Sequence, residues 1–195
     1  MSNTQKGLLV LIVGPSGSGK GTVVSALKKR HPDYVFPVSA TTRDPRPSEV
    51  DGQVYRFISK ENFEQGIDAG DFLEWAEVHK NNYYGTPKQP ILDALDAGKV
   101  VVREVDIQGF LSIRQVILRE ELVSIFLLVK DLNELKSRIL RRGKMSDEEM
   151  ARRMVSAEKE IAEAYKCNYR VESPQGQIPR IVEEVEGIIE KSRRV

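Results

Sequence analysis

Cysteine is nearly absent from this chain: Cys167 stands alone among 195 residues. No internal disulfide can form, and no cysteine cluster can hold a metal. Such usage fits a reducing compartment, with Cys167 read as a small buried or half-buried filler. Histidine is almost as scarce. His31 and His79 both lie in polar, loop-like context, which reads as solvent exposure and leaves no Ser-His-Asp arrangement to argue for. An excess of either charge is missing too, since 30 Lys+Arg oppose 29 Asp+Glu. That balance speaks against a general nucleic-acid or membrane-surface binder and makes any basic site a local one. No apolar run approaches the roughly 20 residues of a membrane span. Leu8–Val13, after MSNTQKG with its one lysine, is too short for a signal peptide's apolar region. A cytoplasmic protein is the expectation.

What is present is enough apolar residue, 40% of the chain, to build a sizeable core in a single domain. Leu8 to Val13 is continuously apolar and rich in β-branched residues, the pattern of a strand buried on both faces. Val100 to Val105 and Leu122 to Val129 read the same way. Helical spacing appears over Lys20–Arg30, Pro90–Ala97, Asp131–Arg141, Asp147–Tyr165 and Ile178–Lys191. On the last of these, Ile178, Ile181, Val182 and Val185 form a face suited to core packing. The alternation predicts an α/β fold, a parallel sheet covered by helices. Residues 38–86 differ: Pro45, Pro47 and Gly52 punctuate short strand-like pieces such as Val54–Ile58 and Phe72–Val78. They predict an inserted, mostly-β subdomain. Residues 138–154 are dense in arginine and predict a lid, which leaves 1–37, 87–137 and 155–195 as the core.

Directly after the first strand stands GPSGSGKGT: Gly14, Pro15, Ser16, Gly17, Ser18, Gly19, Lys20, Gly21 and Thr22. G-x-x-x-x-G-K between a buried strand and a helix start is the arrangement that turns backbone N–H groups inward around phosphate oxygens. The helix dipole adds positive potential there, and Lys20 reaches toward the terminal phosphates. The usual pattern places Ser or Thr after the lysine. Here Gly21 follows and the hydroxyl comes on Thr22, which leaves open the group that serves a metal. A dinucleotide fingerprint fails, because its last glycine or alanine would fall on Thr22. A nucleoside triphosphate is therefore favoured over a nicotinamide cofactor.

Two further stretches carry chemistry. In VSATTRDPRPSEVDGQVYRF, Arg43 and Arg46 are held by Pro45 and Pro47 in stiff, non-helical backbone, a setting in which planar guanidinium groups suit an oxyanion. Taken alone, they read equally as solvated loop residues. In FLEWAEVHKNNYYGT, Glu74 interrupts an apolar alternating strand. A carboxylate aimed into an apolar pocket can accept two N–H bonds from a guanine edge, a pair that adenine does not offer. Alone, Glu74 reads as a strand residue facing water.

Together these pieces resemble the guanylate kinase family, nucleoside monophosphate kinases that pass the γ-phosphate of ATP to GMP. The resemblance runs through GPSGSGKGT, SATTRDPRPSEVDGQVYRF, EWAEV, NYYGT, EVDIQG, RILRRG and ARRMVSAEKEI. It implies acceptor-phosphate ligands at Arg43, Arg46, Tyr55 and Tyr84, and guanine-reading groups at Ser39, Glu74 and Thr86. Asp106 would face the same nucleotide, with Glu49 and Glu104 as acidic neighbours. Lid arginines fall on Arg138, Arg142 and Arg153. ATP with Mg²⁺ is the implied donor, Thr22 the candidate metal ligand, and GMP the acceptor, with dGMP left open. The chain departs from the family pattern in HKNN before Tyr83, in Lys144-Met145 after the lid glycine, and in NYRVESPQG near the C-terminus, so adenine contacts are not carried over to that last segment.

Phosphoryl transfer asks a protein for alignment and cation placement rather than a nucleophile, which accords with the missing triad. The expected machinery is Lys20 and the loop amides on ATP, with Arg43, Arg46, Arg138, Arg142 and Arg153 between donor and acceptor. Two other readings stand beside it. One is a non-catalytic interaction module on the same fold. The other is a kinase for a different small phosphorylated acceptor. Oligomeric state is left open by the sequence.

Overall fold

In a computed structural model, residues 6–46, 49–53, 55–78, 82–141 and 145–194 are described. The chain runs β1 (Leu8–Val13), α1 (Lys20–Arg30), β2 (Ser39–Thr41), β3 (Tyr55–Phe57), α2 (Lys60–Ala69), β4 (Phe72–Val78) and β5 (Asn82–Pro87). It continues with α3 (Gln89–Asp96), β6 (Val100–Val105), α4 (Ile107–Ile113), β7 (Leu122–Leu128), α5 (Leu132–Leu140), α6 (Asp147–Ala162), β8 (Tyr169–Glu172) and α7 (Ile178–Arg193). Single 3-10 turns precede β7 and β8.

β6, β1, β7 and β8 form one sheet in that order, all parallel. β1 lies inside it, and every one of its six residues is buried. Because side chains alternate, Leu9, Leu11 and Val13 enter one apolar cluster with Ile91, Phe110 and Phe126. Leu8, Val10 and Ile12 enter another with Val23, Leu27, Ile181, Val182 and Val185. A strand with helices on both faces has no solvated side, so the uninterrupted apolar run follows. The apolar face read on α7 packs into this second cluster, with Ile181, Val182 and Val185 each no more than 1% exposed.

A second sheet, ordered β3-β2-β5-β4, pairs β2 with β3 in parallel and β2–β5 and β5–β4 antiparallel. Its packing centres on Phe63 of α2, fully buried and stacked on Phe72 at 4.3 Å and on Tyr83 at 5.3 Å. Gly85 permits that stack: a Cβ there would stand 2.8 Å from Phe63 Cζ and 2.9 Å from Phe72 Cδ1.

The sequence reading and the fold differ in four places. Three core strands were expected, and four are present among the described residues. β8 is short, and only Val171 of its four residues is fully buried, so it lacks the run that marks the others. Asn168 docks it instead, its Oδ1 accepting from Ser124 N at 2.9 Å and Ser124 Oγ at 2.8 Å. Two helices escape periodicity as well. α2 buries only Phe63 and Gly66 but is capped at both ends, by Ser59 Oγ accepting from Asn62 N and by Gly70 with φ +71. α4 is seven residues long and begins under the Asp106 side chain, which accepts from Gly109 N at 2.8 Å. Finally, His31 is not simply solvated. It stacks on Tyr34 at 4.4 Å and pairs through Nε2 with Glu186 Oε1 at 2.7 Å, joining α1 to α7. His79 lies outside the described residues.

Candidate active site

The loop after β1 is built from conformations that side chains resist. Gly14, Gly17 and Gly19 have φ of +147, +85 and +98. A Cβ on Gly14 would meet Ser18 Oγ at 2.9 Å and Leu127 O at 3.1 Å, and one on Gly17 would meet Ile139 Cγ1 at 3.0 Å. Gly19 caps α1 in the left-handed region with no side-chain bond to the first turn. The loop thus presents the positive end of an 11-residue helix, a setting suited to an anion. Lys20 Nζ lies over the loop, donating to Gly14 O and, at 3.0 Å, to Pro15 O. Ser173 Oγ clamps the loop by donating to Ser18 O at 2.8 Å. Ser16 is half-buried, while Gly21 and Thr22 are exposed on the first turn of α1.

Gly21 faces the Glu104 carboxylate, 3.4 Å from where its Cβ would stand. Among the described residues no group of three or more His, Cys, Asp or Glu is placed to hold a metal ion. A divalent ion at this helix start would take a hydroxyl from Thr22 and most of its ligands from phosphate oxygens and water, the coordination Mg²⁺ prefers.

Arg43 forms the centre of a second cluster. Its two terminal nitrogens fork onto Glu49 at 2.9 and 3.0 Å, and Nη1 also donates to Asp44 O at 2.7 Å. Glu49 Oε2 accepts from Arg46 N at 2.8 Å. The Arg43 guanidinium stands 5.6 Å from the rings of both Tyr55 and Phe57, and Tyr84 meets Tyr55 edge-on at 5.7 Å. The Arg43 bond, followed by the Arg46 amide, holds the Glu49 carboxyl below the usual carboxylate range, and the same fork raises Arg43. The Arg46 side chain stands exposed beside this cluster.

A third cluster forms where the two sheets meet. Thr86 directly opposes Glu74 across the β4–β5 ladder, next to a register irregularity between Phe72 and Glu74. Thr86 Oγ1 donates to Glu74 Oε1. From β6 of the core sheet, Arg103 reaches in: Nη2 donates to Ser39 Oγ at 2.6 Å and lies 3.8 Å from Glu74 Oε1, while Nη1 donates to Pro37 O at 3.2 Å. Glu74, expected in an apolar pocket, has polar partners here. Its carboxylate sits beside a guanidinium and a hydroxyl, because the partner strand and the core sheet both present polar groups there.

Arg103 escaped the sequence reading, although one signal was available: it is a charge within the otherwise apolar VVVREV. Glu160 of α6 escaped it too. Burial pushes its carboxyl above the usual range, with Lys20 lowering and Asp106 raising it. Asp106 and Glu160 line a cleft of about 400 Å³ with Gln108, Ser156 and Lys159. A larger groove of about 1030 Å³ lies at the opposite, amino-terminal strand ends, around Lys6, Arg119, Lys191 and Arg194, and holds none of the motif residues.

Of the lid arginines, Arg138 and Arg153 are described, and they have separate partners. Arg138 of α5 bonds Glu134 Oε1, Ser173 O at 2.6 Å and Gly17 O at 3.5 Å, so it touches the phosphate loop directly. Arg153 of α6 pairs with Glu149 at 2.8 Å on an exposed face. Arg142 lies outside the described residues, as do Lys144 and His79–Asn81 of HKNN. The described residues thus form a loop suited to phosphates, an arginine–tyrosine cluster suited to an anion and a polar pocket around a carboxylate.

Comparison with known proteins places this geometry. A model of the guanylate kinase family matches residues 6–192. A guanylate kinase of Clostridium tetani is 45% identical over 185 residues, covering 95% of this chain and 86% of that protein. One of Clostridium perfringens is 49% identical over 166 residues, covering 85% and 76%. The crystal structure of a guanylate kinase from Anaplasma phagocytophilum superposes with a TM-score of 0.74 at 26% identity, over 97% of this chain and 87% of that one. A gluconokinase from Sinorhizobium meliloti, at 18% identity and a TM-score of 0.51, shares the fold alone.

Proposed function

The chain belongs to the guanylate kinase family of ATP:GMP phosphotransferases, and from that premise we propose how its residues divide the reaction. ATP is the phosphate donor and GMP the acceptor. Residues 14–22 hold the donor's phosphates, with Lys20 on the terminal ones and Mg²⁺ shared between those oxygens and Thr22. Arg43, Arg46, Tyr55 and Tyr84 bind the phosphate of GMP. Glu49 holds the Arg43 fork in place until that phosphate competes for it. Ser39, Glu74 and Thr86 read the guanine, and Asp106 and Glu104 border the acceptor from the end of β6. Arg138, Arg142 and Arg153 neutralise charge between the nucleotides.

In this reading residues 38–86 form the acceptor-binding part and residues 138–154 the lid, both packed on one parallel-sheet core. The transition state spreads charge over peripheral oxygens, so fixed cations and amides supply the rate. Closure of the outer parts over the core excludes water, the competing acceptor. Neither a membrane surface nor nucleic acid is a partner, and dGMP is accepted alongside GMP, since the groups assigned to the acceptor take its base and its phosphate.

The observation that supports this most is the loop itself: three left-handed glycines, a helix start whose cap residue is glycine, and a lysine folded over them, at the carboxyl end of a central strand. The test is a coupled assay with GMP, dGMP, AMP, CMP and UMP as acceptors, with Mg²⁺ present or chelated. Turnover confined to GMP and dGMP and abolished by chelation is expected. Failure to bind ATP at millimolar concentration would return the chain to the interaction-module reading, and equal use of AMP would remove the base assignment.

A further inference from the structure

Arg103 is a charged residue on the otherwise largely apolar strand β6. It follows Val100, Val101 and Val102 on β6, opposite Leu11 in the register, and its side chain is 12% exposed. Burial pushes the guanidinium below its usual range, while Glu74 and Glu104 pull it back. A cation so placed is costly unless its hydrogen bonds are made. The partners are specific. Pro37 O and Ser39 Oγ lie on the segment entering β2, and Glu74 lies on β4. Arg103 Nε has no partner among the described residues, so the two terminal nitrogens do all the pairing. One core residue thus touches both the entry to the second sheet and the carboxylate facing the base.

The chemistry of the Ser39 contact has a direction. A hydroxyl carries one donor and two acceptor positions. Arginine has no acceptor, so Ser39 must accept from Arg103, and its own hydrogen is left to donate elsewhere. On the other side, Thr86 donates to Glu74 Oε1, and Arg103 keeps a positive charge beside that carboxylate. The pocket therefore offers a hydroxyl donor beside a carboxylate acceptor. The Watson–Crick edge of guanine has the matching order, with O6 accepting and N1–H and the N2 amino group donating. Adenine presents an amino donor where guanine has O6, and an unprotonated N1 where guanine donates.

We propose that Arg103 is a positioning residue for acceptor specificity, fixing the donor direction of Ser39 and the charge and orientation of Glu74 from the rigid core sheet. This rests on the ATP:GMP reading given above. Arg103 touches no reacting atom, so its loss weakens recognition of the base and leaves the donor side alone. Replacing a charge-assisted bond of this kind is worth about tenfold in the constant it supports.

The test uses steady-state kinetics on the wild-type chain, Arg103→Leu and Arg103→Lys, with GMP and AMP varied at saturating ATP and then ATP varied at saturating GMP. For Arg103→Leu the GMP KM rises about tenfold and the GMP-over-AMP ratio of kcat/KM falls about tenfold, while the ATP KM stays within about twofold. Arg103→Lys keeps the charge but not the fork, so it falls between the two. In the Arg103→Leu background, Ser39→Ala adds less to the GMP KM than it does alone. A GMP KM within about twofold of wild type in the leucine variant refutes the inference, and so does a loss falling equally on ATP and GMP. If the leucine variant does not fold by circular dichroism, the lysine variant decides, and wild-type selectivity there is the refuting result. A wild-type chain inactive on GMP refutes the phosphotransfer reading itself, which separates the two failures.

Discussion

Glu74→Gln changes one atom and can be followed through the site. The carboxylate has about four acceptor positions on two oxygens. Oε1 already receives the Thr86 hydroxyl and faces Arg103 at 3.8 Å, which leaves Oε2 and the outer position of Oε1 for the base. An amide has only one accepting atom, and neither orientation serves. With the NH₂ at the Oε1 position it points at a guanidinium that can only donate; with the NH₂ at the Oε2 position it points at the donors of guanine. Each orientation leaves one donor facing another and removes the charge that pairs with Arg103. Losing a charge-assisted hydrogen bond in a partly buried site costs about 1.5 to 3 kcal/mol, or about 10- to 100-fold in kcat/KM for GMP. The phosphate loop is untouched, so the ATP KM holds. A coupled spectrophotometric assay reads both constants. A variant within about threefold of wild type on GMP, or one whose ATP KM rises in parallel, would show that Glu74 does not meet the base.

Three other outcomes follow from particular contacts. Lys20→Met lowers kcat by about 10²- to 10³-fold and removes the thermal shift given by ATP while that given by GMP persists; a retained ATP shift with full turnover would place the triphosphate elsewhere. Gly85→Ala sets a methyl 2.8 Å from Phe63 Cζ. Such overpacking costs about 1 to 3 kcal/mol and lowers the melting temperature by roughly 3 to 10 °C, so an unchanged calorimetric midpoint would mean the aromatic stack yields freely. Burial pushes the Cys167 thiol from 9.0 up to about 11. Between those values the unfolded chain releases a proton that the folded chain keeps, so stability falls as pH rises through that window, by at most about 1.4 kcal/mol per unit. Urea midpoints of wild type and Cys167→Ser at pH 8.5 and 10.5 isolate this contribution, and parallel curves would count against it.

The central strands were legible because their chemistry is one-dimensional. A strand covered on both faces must be apolar at every position, and Leu8–Val13 carries that requirement in six consecutive letters. The glycine loop was legible for a related reason: left-handed backbone at Gly14, Gly17 and Gly19 demands glycine at set intervals, and the interval is itself the motif. β8 and α2 were not legible. Much of their packing comes from partners distant in the chain, such as Asn168 on Ser124 and Phe63 between Phe72 and Tyr83, and apolar periodicity does not report them; for α2 only the Ser59 and Gly70 caps are local signals. The pocket around Glu74 was legible only in part. Glu74 shows as an acid in an apolar strand, but its neighbours do not.

The sequence by itself determined that this chain folds as helices over a parallel sheet and carries a glycine loop of phosphate-binding pattern at the end of its first strand, since both are matters of spacing along the backbone. Only the tertiary structure decided what surrounds Glu74 and Arg43. Residues 39, 74, 86 and 103 lie on four strands of two sheets, and the direction of each hydrogen bond among them is set by which strands pair and in what register. That information exists only once the chain has closed on itself.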